Sequence, residues 1–128
     1  MQRTDSAMSD IKQCLRKKVL AERRAFSFDR ISSMSLTLTE NLLALPEVND
    51  ASCIMAFLAM PRESNLDEFI RIMLKKGTRI CIPVCLPKRQ MEAGRIMDME
   101  HFEKGPLGLR NIPSGYDVIE PEQIDLVL

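Results

Sequence analysis

The sequence predicts an α/β fold, a three-layer α/β/α arrangement around a mostly parallel sheet. The first observation is that residues 53–60 are eight apolar residues in unbroken succession. A strand that is apolar on both faces must be covered on both, which is typical of parallel sheets between helices. The second observation is that strand-like runs at residues 78–83 and 124–128 predict further buried strands, with helical patterns before and between them.

Helical periodicity begins close to the amino terminus. Ser9 or Asp10 is predicted to cap a first helix that runs to about Phe26, because either side chain can accept a backbone N–H at a helix start. Residues 1–9 are predicted to be a flexible N-terminus. Apolar side chains recur at four-residue spacing along this helix and predict a buried stripe. The stripe comprises Ile11, Leu15 and Val19, widened by Cys14.

Two further helices follow from similar signals. Ser27 or Asp29 is predicted to cap a second helix, which Pro46 ends. Its apolar face comprises Ile31, Met34, Leu38, Leu42 and Leu45. A third helix is predicted over residues 66–76, with Gly77 as its C-terminal stop. Its inward residues are Phe69, Ile70 and Met73. The remaining predicted segments are a polar loop at 87–90, a strand at 91–97, a turn at 105–108 and a loop at 111–116.

Length and charge limit the classes of function. The 128 residues suffice for one domain, and they include 18 basic and 18 acidic side chains. This balance attracts neither nucleic acid nor anionic lipid, although residues 1–30 are locally basic. No apolar run reaches the ~18 residues that cross a bilayer. The sequence therefore predicts neither nucleic acid nor a membrane as a partner.

The last residues of the sequence lie inside a predicted strand, because no turn or polar tail follows Leu128. We therefore expect residues 1–128 to form a single, incomplete domain that is truncated at its C-terminus. A strand at the open edge of a sheet leaves backbone N–H and C=O groups unpaired. This open edge predicts self-association of the chain.

The cysteines are predicted to be reduced packing residues, since free cysteine is among the most buried residue types. No pair has Cys-x-x-Cys spacing, and no histidine lies beside them to complete a zinc site. They are Cys14, Cys53, Cys81 and Cys85. Reduced thiols indicate a cytoplasmic location, and we predict no metal ligand in this sequence.

Two cations on the first helix are candidates for an anion site. Lys12 and Arg16 are four residues apart and are therefore neighbours on one helical face. Like charges at this spacing repel each other, and an anion bound between them would reverse the repulsion. A solvated basic face is the alternative interpretation. We adopt that alternative for Lys17, Lys18, Arg23 and Arg24.

A second candidate site follows the apolar run at residues 53–60, since ligands of open parallel sheets bind beyond the carboxyl ends of the strands. The Glu63 carboxylate can accept hydrogen bonds from the amino and ring N–H groups of a heterocycle. Arg62 would keep Glu63 ionised if the two approach, and helix capping is the alternative role for Glu63. Leu58 and Met60 are either plain core or an apolar ledge for a flat ring.

Other features predict no chemistry. His101 is the only histidine, no catalytic arrangement can be argued for it, and we predict that it lies in an exposed loop. Gly105 and Gly108 are too sparse for a glycine-rich phosphate cradle.

Several segments, in collinear order, resemble the 5-formyltetrahydrofolate cyclo-ligase family, also called methenyltetrahydrofolate synthetases. The first helix contains Lys12-Gln-Cys-Leu-Arg16, which resembles the family's opening Lys-x-x-x-Arg helix. The first strand ends in Phe57-Leu-Ala-Met-Pro-Arg-Glu63, which is similar to Tyr/Phe-Leu-Ser-Met-x-x-Glu. The second strand, Lys76-Gly-Thr-Arg-Ile-Cys-Ile-Pro83, also looks like its counterpart. The resemblance spans residues 10–128.

The resemblance implies a sheet flanked by helices, of the type shared with ribose-5-phosphate isomerase and coenzyme A transferases. It implies ATP- and Mg²⁺-dependent conversion of 5-formyltetrahydrofolate to 5,10-methenyltetrahydrofolate, in which ATP phosphorylates the formyl oxygen before ring closure. By motif match, Lys12 and Arg16 would contact the nucleotide phosphates, and Arg16 would also reach the folate. Leu58, Met60 and Glu63 would hold the folate.

The sequence departs from the family pattern in three places. Ser64-Asn65-Leu66 stands where the family has an apolar residue, an acid and a threonine, and the segment after Gly108 lacks the family's acid. The chain also ends before the glycine-rich Tyr-Tyr-Asp loop, which carries the phosphate loop and the magnesium-binding acid. We therefore predict no synthetase activity for this polypeptide alone. The alternatives are a non-catalytic folate- or nucleotide-binding remnant, or an unrelated α/β sugar-phosphate binder.

Overall fold

The computed structural model describes residues 2–128, with side chains described from residue 6 onward. Its strands are β1 (Cys53–Met55), β2 (Arg79–Leu86), β3 (Gln90–Ile96), β4 (Glu103–Lys104), β5 (Arg110–Asn111), β6 (Val118–Ile119) and β7 (Leu126–Val127). Five of them form one sheet in the order β6-β3-β2-β1-β7. β1 pairs in parallel with β2 and β7, whereas β3 runs antiparallel to β2 and β6. Every strand of this sheet except β3 therefore points the same way, and the predicted α/β fold with a mostly parallel sheet is confirmed.

The helices are α1 (Gln2–Arg24), α2 (Phe28–Leu43), α3 (Pro46–Asp50) and α4 (Asp67–Lys75). Ser27 caps α2 as predicted, because its Oγ accepts a hydrogen bond from the backbone N–H of Arg30 at 3.1 Å. Pro46 begins α3 rather than ending α2. Proline is tolerated at this position because backbone N–H groups in the first turn of a helix make no hydrogen bond within the helix. Gly77 follows α4 in the left-handed conformation, at φ +90°, and ends it as predicted. None of the helices in the described part of the chain is long and apolar enough to cross a membrane.

Helices α2, α3 and α4 pack on one face of the sheet and bury the main core with it. The strands contribute alternate residues, because successive side chains of a strand point to opposite faces. The inward face of α4 is fully buried, as its helical spacing predicts. The core comprises Val48, Ile54, Ala56, Leu66, Phe69, Ile70, Met73, Ile80, Ile82, Ile96 and Met99.

The opposite face of the sheet carries a smaller buried cluster that includes Cys53 and Cys81. All the cysteines are free thiols. Cys14 and Cys85 are exposed, so the packing role predicted for them is wrong, because no described element covers these two side chains. Burial raises the pKa of the Cys81 thiol to about 11, and the neighbouring Cys53 adds to the rise.

Helix α1 departs most from the prediction. It begins at Gln2, upstream of the predicted caps, and ends at Arg24. The stripe predicted to be buried is exposed, with Ile11 at 60%, Leu15 at 57% and Val19 at 53%. Periodicity reveals an apolar face, but its burial requires a packing partner, which the described residues do not supply. The flexibility predicted for residues 1–9 stays a prediction, because a helical segment can still move as a body.

The strand predicted over residues 53–60 is shorter, because ladder pairing ends at Met55. Ala56 donates one more backbone N–H to β2 at 2.9 Å, and residues 57–66 then leave the sheet as a loop that leads to α4. β2, in contrast, is longer than predicted and continues to Leu86, because its antiparallel neighbour β3 pairs with it from Ile80 to Leu86.

β4 and β5 form a separate two-stranded hairpin. Its connection contains the segment Pro106–Gly108, so the turn predicted at residues 105–108 is confirmed. Gly108 has φ +79°, a conformation that favours glycine. The hairpin connection lies against Pro61 in the loop that follows β1.

Candidate functional site

The loop at residues 57–66 lies where open parallel sheets bind ligands. It follows β1, which has a parallel neighbour on each side. The carboxyl end of such a strand opens into a crevice outside the sheet. Three predicted site residues, Leu58, Met60 and Glu63, are on this loop. The structure thus gathers them at one end of the sheet.

Glu63 is held by a tight turn of its own loop. Its backbone N–H donates to the carbonyl oxygen of Met60 at 3.0 Å, and its Oε1 accepts from the backbone N–H of Met60 at 3.1 Å. At the start of α4, the backbone N–H of Asp67 donates instead to Asn65 Oδ1, at 3.1 Å. Glu63 therefore does not cap α4, the alternative role that its position in the sequence left open.

The second carboxylate oxygen of Glu63 faces α1. Its Oε2 lies 3.4 Å from Nη1 of Arg23, and the two side chains are 37% and 39% exposed. Arg62 does not supply this contact: its guanidinium carbon lies 5.0 Å from the centroid of the Phe28 ring, at the start of α2. The ionic partner of Glu63 is therefore Arg23 and not its neighbour in the sequence.

Arg23 shares a helical face with the predicted anion-binding residues. With about 100° between successive residues, Arg16 and Arg23 both lie within roughly 40° of Lys12 around the helix axis. Lys12 and Arg16 are exposed and lie roughly 16 and 10 Å from Arg23 along that axis. A shallow groove on this face is lined by Leu15, Arg16, Val19, Leu20 and Arg23. The three cations thus form one row, and its last member contacts Glu63.

The sequence contains a signal that Arg23 shares a helical face with Lys12, which a comparison of residues four apart does not detect. A spacing of 11 residues returns to nearly the same side of an α-helix, so Lys12 and Arg23 share a face. Arg16 is the i+4 neighbour of Lys12, whereas Arg23 lies outside that spacing, which is why the sequence pattern predicts a solvated cation at Arg23.

A cavity of about 410 Å³ opens beside the loop. Its apolar wall includes Leu58 and Phe57 with Ile82 and Val84 of β2, and Arg110 and Asn111 of β5 supply polar groups. Small-molecule sites usually measure about 300–1,000 Å³, so the size suits a ligand. Met60 holds the turn at Glu63 and does not line this cavity, so a pocket shared by Leu58 and Met60 stays a prediction.

Arg110 is a second residue that the sequence analysis did not single out. Its Nη1 and Nη2 donate to the carboxylate of Asp67 at 2.9 and 3.1 Å, and Nη2 also donates to the carbonyl oxygen of Ala59 at 3.1 Å. Arg110 and Asp67 are 43 residues apart, so only the tertiary fold brings them together.

Within residues 2–128, no group of three or more His, Cys, Asp or Glu side chains could hold a metal ion. His101 is exposed, as predicted, with Nδ1 at 2.9 Å from Asp98 Oδ2. The backbone N–H of Glu100 and the His101 ring hold the pKa of Asp98 below its ordinary value. Because these contacts stay within four consecutive residues, they stabilise a local turn.

Comparison with known proteins identifies a family and two solved structures that are similar to this chain. The sequence profile of the 5-formyltetrahydrofolate cyclo-ligase family matches residues 8–128. The NMR structure of 5,10-methenyltetrahydrofolate synthetase from Aquifex aeolicus has a TM-score of 0.76 at 23% identity, and the match covers 91% of this chain and 59% of that one. A 5,10-methenyltetrahydrofolate synthetase from Mycoplasma pneumoniae has a TM-score of 0.65 at 19% identity, with 91% and 61% covered. This chain thus spans about three-fifths of either structure. No curated protein matches the sequence.

Proposed function

Because this chain belongs to the 5-formyltetrahydrofolate cyclo-ligase family, we propose that it serves the ATP-dependent conversion of 5-formyltetrahydrofolate to 5,10-methenyltetrahydrofolate, with release of ADP and phosphate. The observation that carries the proposal is the cavity of about 410 Å³ at the carboxyl end of β1. It adjoins the loop that carries the family's strand-end motif, with Leu58 in its wall. Membership of the family argues against an unrelated sugar-phosphate binder.

The folate is proposed to bind at the loop that follows β1. Leu58 offers the apolar wall of the cavity to a flat ring, and Met60 borders the turn next to it. One oxygen of Glu63 is already occupied by a backbone N–H, whereas the other faces a half-exposed arginine at 3.4 Å. That distance is longer than a strong hydrogen bond, so ligand N–H groups can compete for the second oxygen.

The nucleotide is proposed to bind at the basic row of α1. Lys12 and Arg16 lie on one face of the helix with Arg23, and their mutual repulsion favours a polyanion between them. Arg16 lies between Lys12 and Arg23 in the row, which suits the predicted contact of Arg16 with both ligands. When bound, ATP would supply the phosphoryl group that turns the formyl oxygen into a leaving group. The row would hold and neutralise the phosphates.

Magnesium is expected from the family, but the described residues offer no acidic cluster that fits it. We therefore assign no magnesium ligand and derive no step through the ion. The free thiols are compatible with a reducing compartment, and we propose that the protein works in the cytoplasm.

A second candidate function is a binding protein without turnover. Calorimetric titration with 5-formyltetrahydrofolate and with ATP, followed by an absorbance assay for the methenyl product, tests both candidates. We expect binding of both ligands without turnover by the 128-residue chain. Turnover would make the chain a complete catalyst, and absence of both affinities would refute the proposal.

A further inference from the structure

The β4–β5 hairpin holds the loop after β1 at two points. At the first, Gly108 packs so closely that a side-chain carbon in its place would lie 2.8 Å from Cγ of Pro61. At the second, Nη2 of Arg110 donates to the carbonyl oxygen of Ala59 at 3.1 Å. The two contacts, at Ala59 and Pro61, lie on either side of Met60 and next to Leu58, within the loop that carries the proposed folate-binding side chains.

Arg110 is itself firmly fixed. Its guanidinium forms a two-pronged pair with Asp67, and its carbon lies 5.8 Å from the centroid of the Phe102 ring. A bidentate pair fixes the plane of the guanidinium as well as its distance. Asp67 is the first residue of α4, where the helix dipole favours a negative charge. Arg110 therefore joins three segments: β5, the start of α4 and the loop after β1.

The anchored carbonyl belongs to Ala59, between Leu58 and Met60. The carbonyl of Ala59 and the backbone N–H of Met60 belong to one planar peptide unit, so the bond from Arg110 also orients the N–H that Glu63 Oε1 accepts. We propose that Arg110 is a positioning residue for the folate, which holds Leu58 against the cavity and presents the Glu63 carboxylate beside it. This inference rests on the proposed function and adds a role that acts through the loop backbone.

Titration of the 128-residue chain and of Arg110→Gln with 5-formyltetrahydrofolate, and separately with ATP, tests the proposal. We expect folate affinity to fall by about tenfold or more, because a charge-assisted anchor is lost, and ATP affinity to stay within about twofold. Arg110→Lys keeps the positive charge but cannot form the bidentate pair with Asp67, and it should lose less folate affinity than Arg110→Gln. Arg71→Gln, which breaks the exposed pair with Glu68 on α4, is the control and should change neither affinity.

Hydrogen exchange supplies a readout that does not need a ligand. The backbone N–H groups of residues 58–60, 62 and 63 should exchange faster in Arg110→Gln, with those of β2 unchanged; Pro61 has no N–H. If Arg110→Gln fails to fold because Asp67 is left unpaired, the double variant Arg110→Gln/Asp67→Asn removes that charge and gives the same measurements.

The outcomes are separable. Unchanged folate affinity, unchanged exchange at residues 58–63, or an equal loss of folate and ATP affinity would each overturn the positioning role. A parent chain that binds no folate would overturn the proposed function and the folate role of Arg110 with it. The exchange experiment would then still decide whether Arg110 orders the loop.

Discussion

The substitution Glu63→Gln separates the contribution of this carboxylate to folding from its contribution to binding. The amide oxygen of glutamine can still accept the backbone N–H of Met60, which Glu63 accepts at 3.1 Å. The substitution removes the ion pair with Arg23, in which Glu63 Oε2 lies 3.4 Å from Arg23 Nη1. Both side chains are more than one-third exposed. Exposed pairs contribute about 0.2–1 kcal/mol, so the free energy of unfolding should fall by no more than about 1 kcal/mol.

Folate binding should respond much more strongly to the same substitution. Charge-assisted hydrogen bonds contribute about 1.5–3 kcal/mol, which corresponds to roughly 10- to 150-fold in dissociation constant. Urea denaturation measures the first quantity, and calorimetric titration with 5-formyltetrahydrofolate measures the second.

Glu68→Gln is the matched control, because Glu68 also pairs with an arginine, Arg71 at 3.5 Å, but lies on α4 and does not line the cavity of about 410 Å³. It should lower stability by a similar amount and leave folate affinity unchanged. If Glu63→Gln costs more than about 2 kcal/mol of stability, or leaves folate affinity as it was, the reasoning that assigns Glu63 to the ligand is refuted.

Four further predictions concern the core, the thiols and the sheet edge. Phe69→Ala removes a fully buried ring and should lower the free energy of unfolding by about 3–5 kcal/mol in urea denaturation; a loss below about 1 kcal/mol would contradict the packing. Iodoacetamide should alkylate the exposed Cys85 and spare the buried Cys81, as read by mass spectrometry. Because the fold raises the pKa of Cys81 from 9.0 to about 11, this thiol ionises at a lower pH in the unfolded chain than in the folded one. Its contribution to the free energy of unfolding is therefore complete below pH 9 and is lost as the pH rises to about 11. The Cys81→Ala variant should not show this loss. Light scattering should show self-association through the edge strand β7 that Val127→Lys reduces, and a monodisperse parent at high concentration would count against it.

Helix α4 was predictable because its signals are local. Phe69, Ile70 and Met73 recur at helical spacing, and Gly77 supplies the positive φ that ends the helix. The apolar run at residues 53–60 likewise predicted burial correctly at its start. It could not give the length of β1, because pairing depends on how far the neighbouring strands extend.

The candidate site was predictable only where its signals are local in the sequence. The strand-end position of Leu58 and Glu63 follows from the apolar run, whereas the partner of Glu63 is 40 residues away on α1. The contact of Arg110 with Ala59 spans 51 residues and leaves no trace in local patterns. The exposed stripe of α1 shows the converse case, in which a strong local pattern has no partner within the described residues.

The length of α1 has a mechanical consequence for the proposed nucleotide site. The helix joins α2 through only three residues, 25–27. Lys12 lies roughly 16 Å beyond Arg23 along the axis of α1, so a rotation of the helix about this joint displaces Lys12 more than Arg23. A tilt of about 10° at that joint would swing the lysine sideways by roughly 3 Å, as far as a hydrogen bond is long. The stiffness of residues 25–27 would thus affect the affinity for phosphate, although none of these residues contacts it.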